Sequence, residues 1–175
     1  RTGSLDDYNI IYIMSETFSD PLKIEGVSIS DDPIPMYRKL TEHYLSGESL
    51  SQGYGGGTAN IEFEALTGIS LEALSSNITT PFIQLSSLMN DIPTIMKLVN
   101  QQSHKLTAIH PYNTTMYKRL ENYQAMGFED YRFQDDMAYA ERIDSNTYIS
   151  DESAYKELMD ILLKSEEKDF IHLVT

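Results

Sequence analysis

No cysteine occurs anywhere in the chain, which excludes disulfides and thiolate-held metals at once. Nor does any apolar run approach the ~18 residues that a bilayer-spanning helix needs. Positive charge is scarce as well: 13 Lys and Arg stand against 27 Asp and Glu, a formal net charge of -14. A field of that sign repels phosphate backbones and anionic lipid surfaces, so general nucleic-acid binding is excluded as a function class. An acidic enzyme acting on phosphate esters would then need a local cation, either a metal or a placed arginine. The missing cysteines leave the compartment open, because exported and cytosolic proteins alike can do without them.

What is present suits a packed globular fold. The 175 residues correspond to one domain or part of a larger one, and 41% of them are hydrophobic. Asn9 to Met14 is a short β-branched and aromatic run, expected as a strand covered on both faces. A polar turn from Ser15 to Asp20 follows, then Pro21. A helix is expected over about 34–45, after the turn-rich Ser30-Asp31-Asp32-Pro33. The glycine-rich Gly53-Tyr54-Gly55-Gly56-Gly57 fits neither helix nor strand interior. Thr58 opens a helical stretch that Gly68 should close.

Ile92, Ile95, Met96 and Val99 have the spacing of an amphipathic helix with Pro93 in its first turn. Lys105 to Ile109 reads as a strand ending in His110-Pro111-Tyr112. A helix over 114–126 should stop at Gly127, and a short strand is expected over 131–133. Ser150 can cap a last helix whose apolar face is Ala154, Leu158, Ile161 and Leu162. Phe170 to Thr175 reads as a buried strand with no polar tail, which leads to the expectation of a chain cut inside its core. Strands alternating with helices argue for a mainly parallel α/β sheet. In such sheets ligand groups gather at the carboxyl ends of strands, and Glu16 and His110 both sit just past one.

Two features carry chemistry. Glycines before a helix let the backbone pass close to a ligand, and the helix start offers free N–H groups and a positive dipole end to an anion. Thr58 would face such an anion directly; it is equally readable as an ordinary N-cap. The Gly-Lys-Ser/Thr ending of a P-loop is absent. A threonine hydroxyl needs a base or a metal to act as a nucleophile. Glu16 is a candidate ligand for that metal, or else a solvated loop charge. Spacing alone does not choose between these readings.

Longer stretches are more specific. Ser15-Glu16-Thr17-Phe18-Ser19-Asp20-Pro21, followed by Tyr54-Gly55-Gly56-Gly57-Thr58-Ala59-Asn60-Ile61-Glu62-Phe63-Glu64-Ala65-Leu66-Thr67-Gly68, resembles the lipoteichoic acid synthase family. These are sulfatase-like phosphoglycerol transferases with an alkaline-phosphatase-type fold. The similarity continues through Ala108-Ile109-His110-Pro111-Tyr112, Met116-Tyr117-Lys118-Arg119 and Met126-Gly127-Phe128, and so covers nearly the whole chain.

The resemblance implies an alkaline-phosphatase/sulfatase-like, mainly parallel sheet flanked by helices. Residues 1–8 would be an N-terminal extension and 9–175 the N-terminal half of the catalytic domain. It implies Thr58 as the nucleophile that forms a covalent phosphoglycerol intermediate and touches a divalent metal, Mn2+ or Mg2+. Glu16 matches a metal-ligand carboxylate. His110, Tyr117 and Arg119 match a cluster that holds the glycerol-phosphate group, a role for which the guanidinium suits phosphate oxygens bidentately. Tyr117 stands where some relatives have Trp.

The implied partners are a phosphatidylglycerol head group and a glycerolphosphate polymer or glycan acceptor. The implied location is the extracellular face of the bacterial cell membrane, behind transmembrane helices. The family's remaining metal ligands, an Asp-His pair, and a further substrate-contacting His lie past the point matching Thr175. The metal site is therefore expected to be incomplete here and this chain inactive by itself. Alternatives are a phosphoethanolamine transferase or another hydrolase on this fold, and a non-catalytic binding module. A sulfatase would need Cys or Ser at the position of Thr58. Of the other histidines, His43 and His104 are expected at the surface and His172 packed.

Overall fold

The computed structural model describes residues 5–15, 18–51, 57–99 and 103–175. The chain divides into two compact units, one of residues 1–16 with 53–175 and one of residues 17–52.

The larger unit is built on four parallel strands, β1 (Ile10–Met14), β2 (His104–His110), β3 (Asp130–Phe133) and β4 (Lys168–Val174), in the order β1-β4-β2-β3. Between β1 and β2 come the helices α2 (Thr58–Thr67), α3 (Pro81–Gln84) and α4 (Ile95–Leu98). Helix α5 (Arg119–Met126) joins β2 to β3, and α6 (Asp151–Lys164) leads into β4. A β-strand sends successive side chains to opposite faces, and the central strands use both. Leu106, Ala108 and Phe170 enter one apolar cluster with Phe63 and Leu66 of α2 and Tyr123 and Met126 of α5. Ile109, Ile171 and Leu173 enter the other, under Ala154 and Leu158 of α6. The sheet is thus flanked by helices on both faces, as the alternation of elements predicted.

Local chemistry ends these elements where expected. Gly68 and Gly127 take left-handed backbone, φ 69° and 99°, at the C-terminal ends of α2 and α5. Ser150 Oγ accepts the backbone N–H of Ser153 at 3.2 Å and caps α6.

Several expectations need correction. The helix over 92–99 shrinks to the single turn of α4, because Pro93 and the extended Thr94 (φ -138°) precede it. The helix over 114–126 becomes a 3-10 turn at Met116–Lys118 followed by α5, with Tyr117 and Lys118 both at positive φ. β1 is covered on one face only: as the edge strand it leaves Ile11 and Ile13 exposed. His104 is buried, not at the surface, where its Nε2 meets the Tyr8 carbonyl at 2.9 Å and so fastens β2 to the residues before β1. His172 is packed as expected.

The smaller unit contains helix α1 (Pro35–His43), shorter than 34–45, with Pro35 at its first position. Arg38 organises it. Its guanidinium reaches Asp20 at 2.9 and 3.2 Å and Asp32 at 2.6 and 3.0 Å. Phe18 and Tyr37 meet edge to face, their centroids 4.9 Å apart. No described helix is long and apolar enough to cross a membrane.

Candidate active site

The carboxyl ends of the strands carry the site. His110 is the last residue of β2, and Thr175 follows β4. Thr175 holds the adjacent strand end through its N–H to the Met14 carbonyl and its Oγ1 to Ser15 Oγ, each 3.1 Å. Glu16, the next residue, lies outside the described residues, as does the glycine-rich run 52–56.

Thr58 is the first residue of α2, and the N-cap position belongs to Gly57, which supplies no side-chain cap. The N-cap reading of Thr58 is therefore replaced by one in which its half-buried hydroxyl sits at the positive end of the helix. A cavity of about 230 Å³ is lined by Thr58, His110, Tyr117 and Arg119, together with Tyr112 and Tyr148. Four of the five residues singled out in the sequence thus face one space.

Beneath that cavity lies a buried polar network. Arg119 is the first residue of α5, and its side chain is 1% exposed. Its Nε donates to Glu62 Oε2 at 2.9 Å, and Glu62 is wholly buried one turn along α2 from Thr58. The other carboxylate oxygen of Glu62 accepts from the Tyr123 hydroxyl and lies 3.3 Å from His172 Nε2. Burial opposes the charged form of Glu62, but the His172 hydrogen bond and the Arg119 charge outweigh it and bring its pKa down to about 2. Burial, with the Glu62 charge, pushes the Tyr123 hydroxyl well above its usual range. Glu62 thus stays an anion that orients and balances the guanidinium.

Two residues in left-handed backbone, Tyr117 (φ 58°) and Lys118 (φ 52°), form the turn into α5. Such backbone is costly away from glycine, and it recurs where a side chain has to be aimed. Here the Tyr117 ring is brought over Arg119, whose guanidinium carbon lies 5.4 Å from the ring centroid.

His110 is nearly buried. Its Nδ1 makes a long 3.5 Å contact with the Val174 carbonyl, and its Nε2 is buried with no partner among the described residues. Burial, reinforced by the Arg119 charge, lowers its pKa to about 4, so the ring is neutral at physiological pH. The Val174 carbonyl favours a proton on Nδ1, which leaves the Nε2 lone pair as an acceptor.

Sequence reading missed Glu62 as a separate contributor. Its signal was present: a carboxylate on the same helical face as Ala59, Phe63 and Leu66. Tyr112 and Tyr148 were missed too, and Tyr148 lies in an irregular stretch where no periodicity marks it.

Among the described residues no three His, Cys, Asp or Glu side chains stand together as a metal site. Among the described residues the oxygen-bearing side chains of the cavity are hydroxyls, those of Thr58, Thr175 and the tyrosines, with no carboxylate, so these residues alone do not complete a divalent-cation site.

A parallel α/β sheet thus gathers a hydroxyl at a helix start, a buried arginine and a neutral histidine around one cavity, an arrangement chemically suited to an anionic group. The sulfatase family model matches residues 8–175, and the chain belongs to that family. A Rhizobium meliloti (strain 1021) protein named for cyclic beta-1,2-glucan modification is 33% identical over 167 residues, 95% of this chain and 25% of that protein. The Streptococcus pyogenes phosphoglycerol transferase GacH, solved with sn-glycerol-1-phosphate, matches with a TM-score of 0.87 at 26% identity, over 100% of this chain and 46% of that one. The lipoteichoic acid synthase LtaP from Listeria monocytogenes matches in fold, with a TM-score of 0.75 at 23% identity over 96% of this chain and 40% of that one. The chain therefore spans a quarter of that curated relative and less than half of either solved chain.

Proposed function

We propose that this protein is the nucleophile-bearing part of a phosphoglycerol transferase. It takes the head group from phosphatidylglycerol and passes it to a polyglycerolphosphate or glycan acceptor at the extracellular face of a bacterial membrane. The observation that carries this reading is the convergence of Thr58, His110, Tyr117 and Arg119 on one small cavity. The likeness to a solved phosphoglycerol transferase supports the donor, and the relative named for glucan modification supports a glycan among the acceptors.

In the first step Thr58 Oγ bonds to phosphorus, the bond from phosphorus to the diacylglycerol oxygen breaks, and that oxygen takes up the proton Thr58 gives up. In the second step an acceptor hydroxyl attacks the same phosphorus and Thr58 leaves, regaining a proton. Arg119 and the start of α2 offset negative charge on the phosphoryl oxygens, while His110 Nε2 accepts a hydroxyl of the glycerol. Mn2+ or Mg2+, held by Glu16 and Thr58 with ligands from outside the described residues, would supply further charge stabilisation at the nucleophile.

The test uses the full-length protein with fluorescent phosphatidylglycerol in one arm and phosphatidylethanolamine in the other. Diacylglycerol is expected from the first only. Thr58→Ala should lower its release by at least ~10³-fold with the fold intact by circular dichroism, as expected for loss of a nucleophile. Release from phosphatidylethanolamine alone, or an undiminished Thr58→Ala rate, refutes the assignment.

A further inference from the structure

A second cavity, of about 300 Å³, adjoins the first and shares His110, Tyr112, Tyr148 and Thr175 with it. Its main wall is a pair of stacked rings: Tyr112 and Tyr148 lie 5.7 Å apart between centroids, with 23° between their planes. Tyr112 is set by the turn after β2, where its N–H reaches the His110 carbonyl at 2.7 Å and its carbonyl accepts from Gln134 at 3.1 Å. Tyr148 is set by a small loop that the Arg142–Ile149 bridge closes, with its N–H on Asn146 Oδ1 at 3.3 Å. The tyrosine pair is thus fastened to two separate parts of the chain, which makes it a built surface.

The rest of the lining has a definite chemical character. Ile143 and Ile149 add apolar surface, and Asn146 and Asp151 add polar groups. Among the described residues no lysine or arginine lines this cavity, and Asp151 is the one acidic residue there. A polyglycerolphosphate chain brings a negative charge with every unit and would meet that carboxylate with no cation among the described lining residues to offset it. A pyranose ring is uncharged. It has an apolar face of C–H groups to lay on a tyrosine ring and hydroxyls to share with Asn146 and Asp151.

We propose that the Tyr112–Tyr148 cavity is the acceptor subsite and that it seats a sugar ring of a neutral glycan, a reading that rests on phosphoglycerol transfer through Thr58. A hydroxyl of the seated sugar points through the shared wall into the first cavity. Its oxygen bonds to the phosphorus held on Thr58, the Thr58 Oγ–P bond breaks, and the hydroxyl proton ends on Thr58 Oγ. The product is a glycerol-phosphate diester on the glycan and a free threonine.

The experiment supplies the full-length enzyme with phosphatidylglycerol and, as acceptor, either a neutral gluco-oligosaccharide or polyglycerolphosphate. It reads both glycerol phosphate transferred and glycerol phosphate released to water. Transfer to the oligosaccharide is expected. Tyr148→Ala should lower the ratio of transferred to released product on the order of 10-fold, the worth of one aromatic contact, and Tyr148→Phe should keep it within about 2-fold. Saturation-transfer NMR with the oligosaccharide alone reads the cavity apart from the chemistry, and its signal should vanish in Tyr148→Ala. Labelling of polyglycerolphosphate but not the sugar, or an unchanged ratio in Tyr148→Ala, overturns the subsite. If phosphatidylglycerol is not cleaved at all while the sugar still binds at Tyr148, the transfer reading fails and the sugar site stands.

Discussion

At the scale of single residues, the site is governed by a charge that never reaches solvent. Arg119, the proposed phosphate partner, is held in place by Glu62, and neither side chain is exposed. Removing one partner of a buried ion pair leaves the other uncompensated, so Glu62→Gln is expected to destabilise the protein by about 3 kcal/mol in urea unfolding. A loss under about 1 kcal/mol would show that the pair is not the anchor described here. Acid should act through the same cluster. Glu62 has a folded pKa of about 2 against 4.5 for the free side chain, so below pH 4.5 the unfolded chain takes a proton that the folded one refuses. His110 behaves likewise between 6.5 and about 4, since its neutral form is the one that fits. Both contributions are intact above pH 6.5, and stability falls as pH drops, first through the His110 window and then through that of Glu62. His110→Gln should flatten the upper part of that decline in a urea series against pH and leave the lower part unchanged.

At the scale of elements, the entry to α5 is the strained point. Tyr117 and Lys118 both occupy left-handed backbone although neither is glycine. Lys118 is exposed and ends the 3-10 turn, so its side chain has little packing to lose. Lys118→Gly is expected to raise stability by roughly 0.5–1 kcal/mol, the relief of left-handed strain less the added chain entropy of glycine. Thermal unfolding measures it, and a destabilised variant would contradict the strain argument. This turn was invisible to periodicity, which ran one helix through 114–126; the backbone there serves the aim of Tyr117 over Arg119 rather than local propensity. Where a boundary rests on local chemistry, as with Gly68, Gly127 and Ser150, sequence and structure agree.

At the scale of the whole molecule, the two units rely on different forces. The larger is a sheet with an apolar cluster on each face. The smaller has no buried residue in α1 and depends on the Arg38 links to Asp20 and Asp32, which hold both carboxyls below their usual range by hydrogen bonding to the guanidinium. Arg38→Ala is expected to speed amide hydrogen exchange across residues 18–51 while β2 and β4 keep their protection. Uniform acceleration in both units would count against a separate role for Arg38.

The amino-acid sequence by itself determined the α/β alternation, the helix ends at Gly68, Gly127 and Ser150 and the membership signalled by the glycine-flanked Thr58, because each depends on residues within a few positions of one another. It also picked out His110, Tyr117 and Arg119, through motifs long enough to be specific. Only the tertiary structure decided that Glu62 is the counter-ion of Arg119, 57 residues away, that β1 is an edge strand with one bare face, and that His104 is buried. The same holds for the pairing of Tyr112 with Tyr148 across a second cavity. The reason is physical: a side chain's charge partner, burial and stacking neighbour are set by which distant segments the sheet brings together, and no local pattern encodes that.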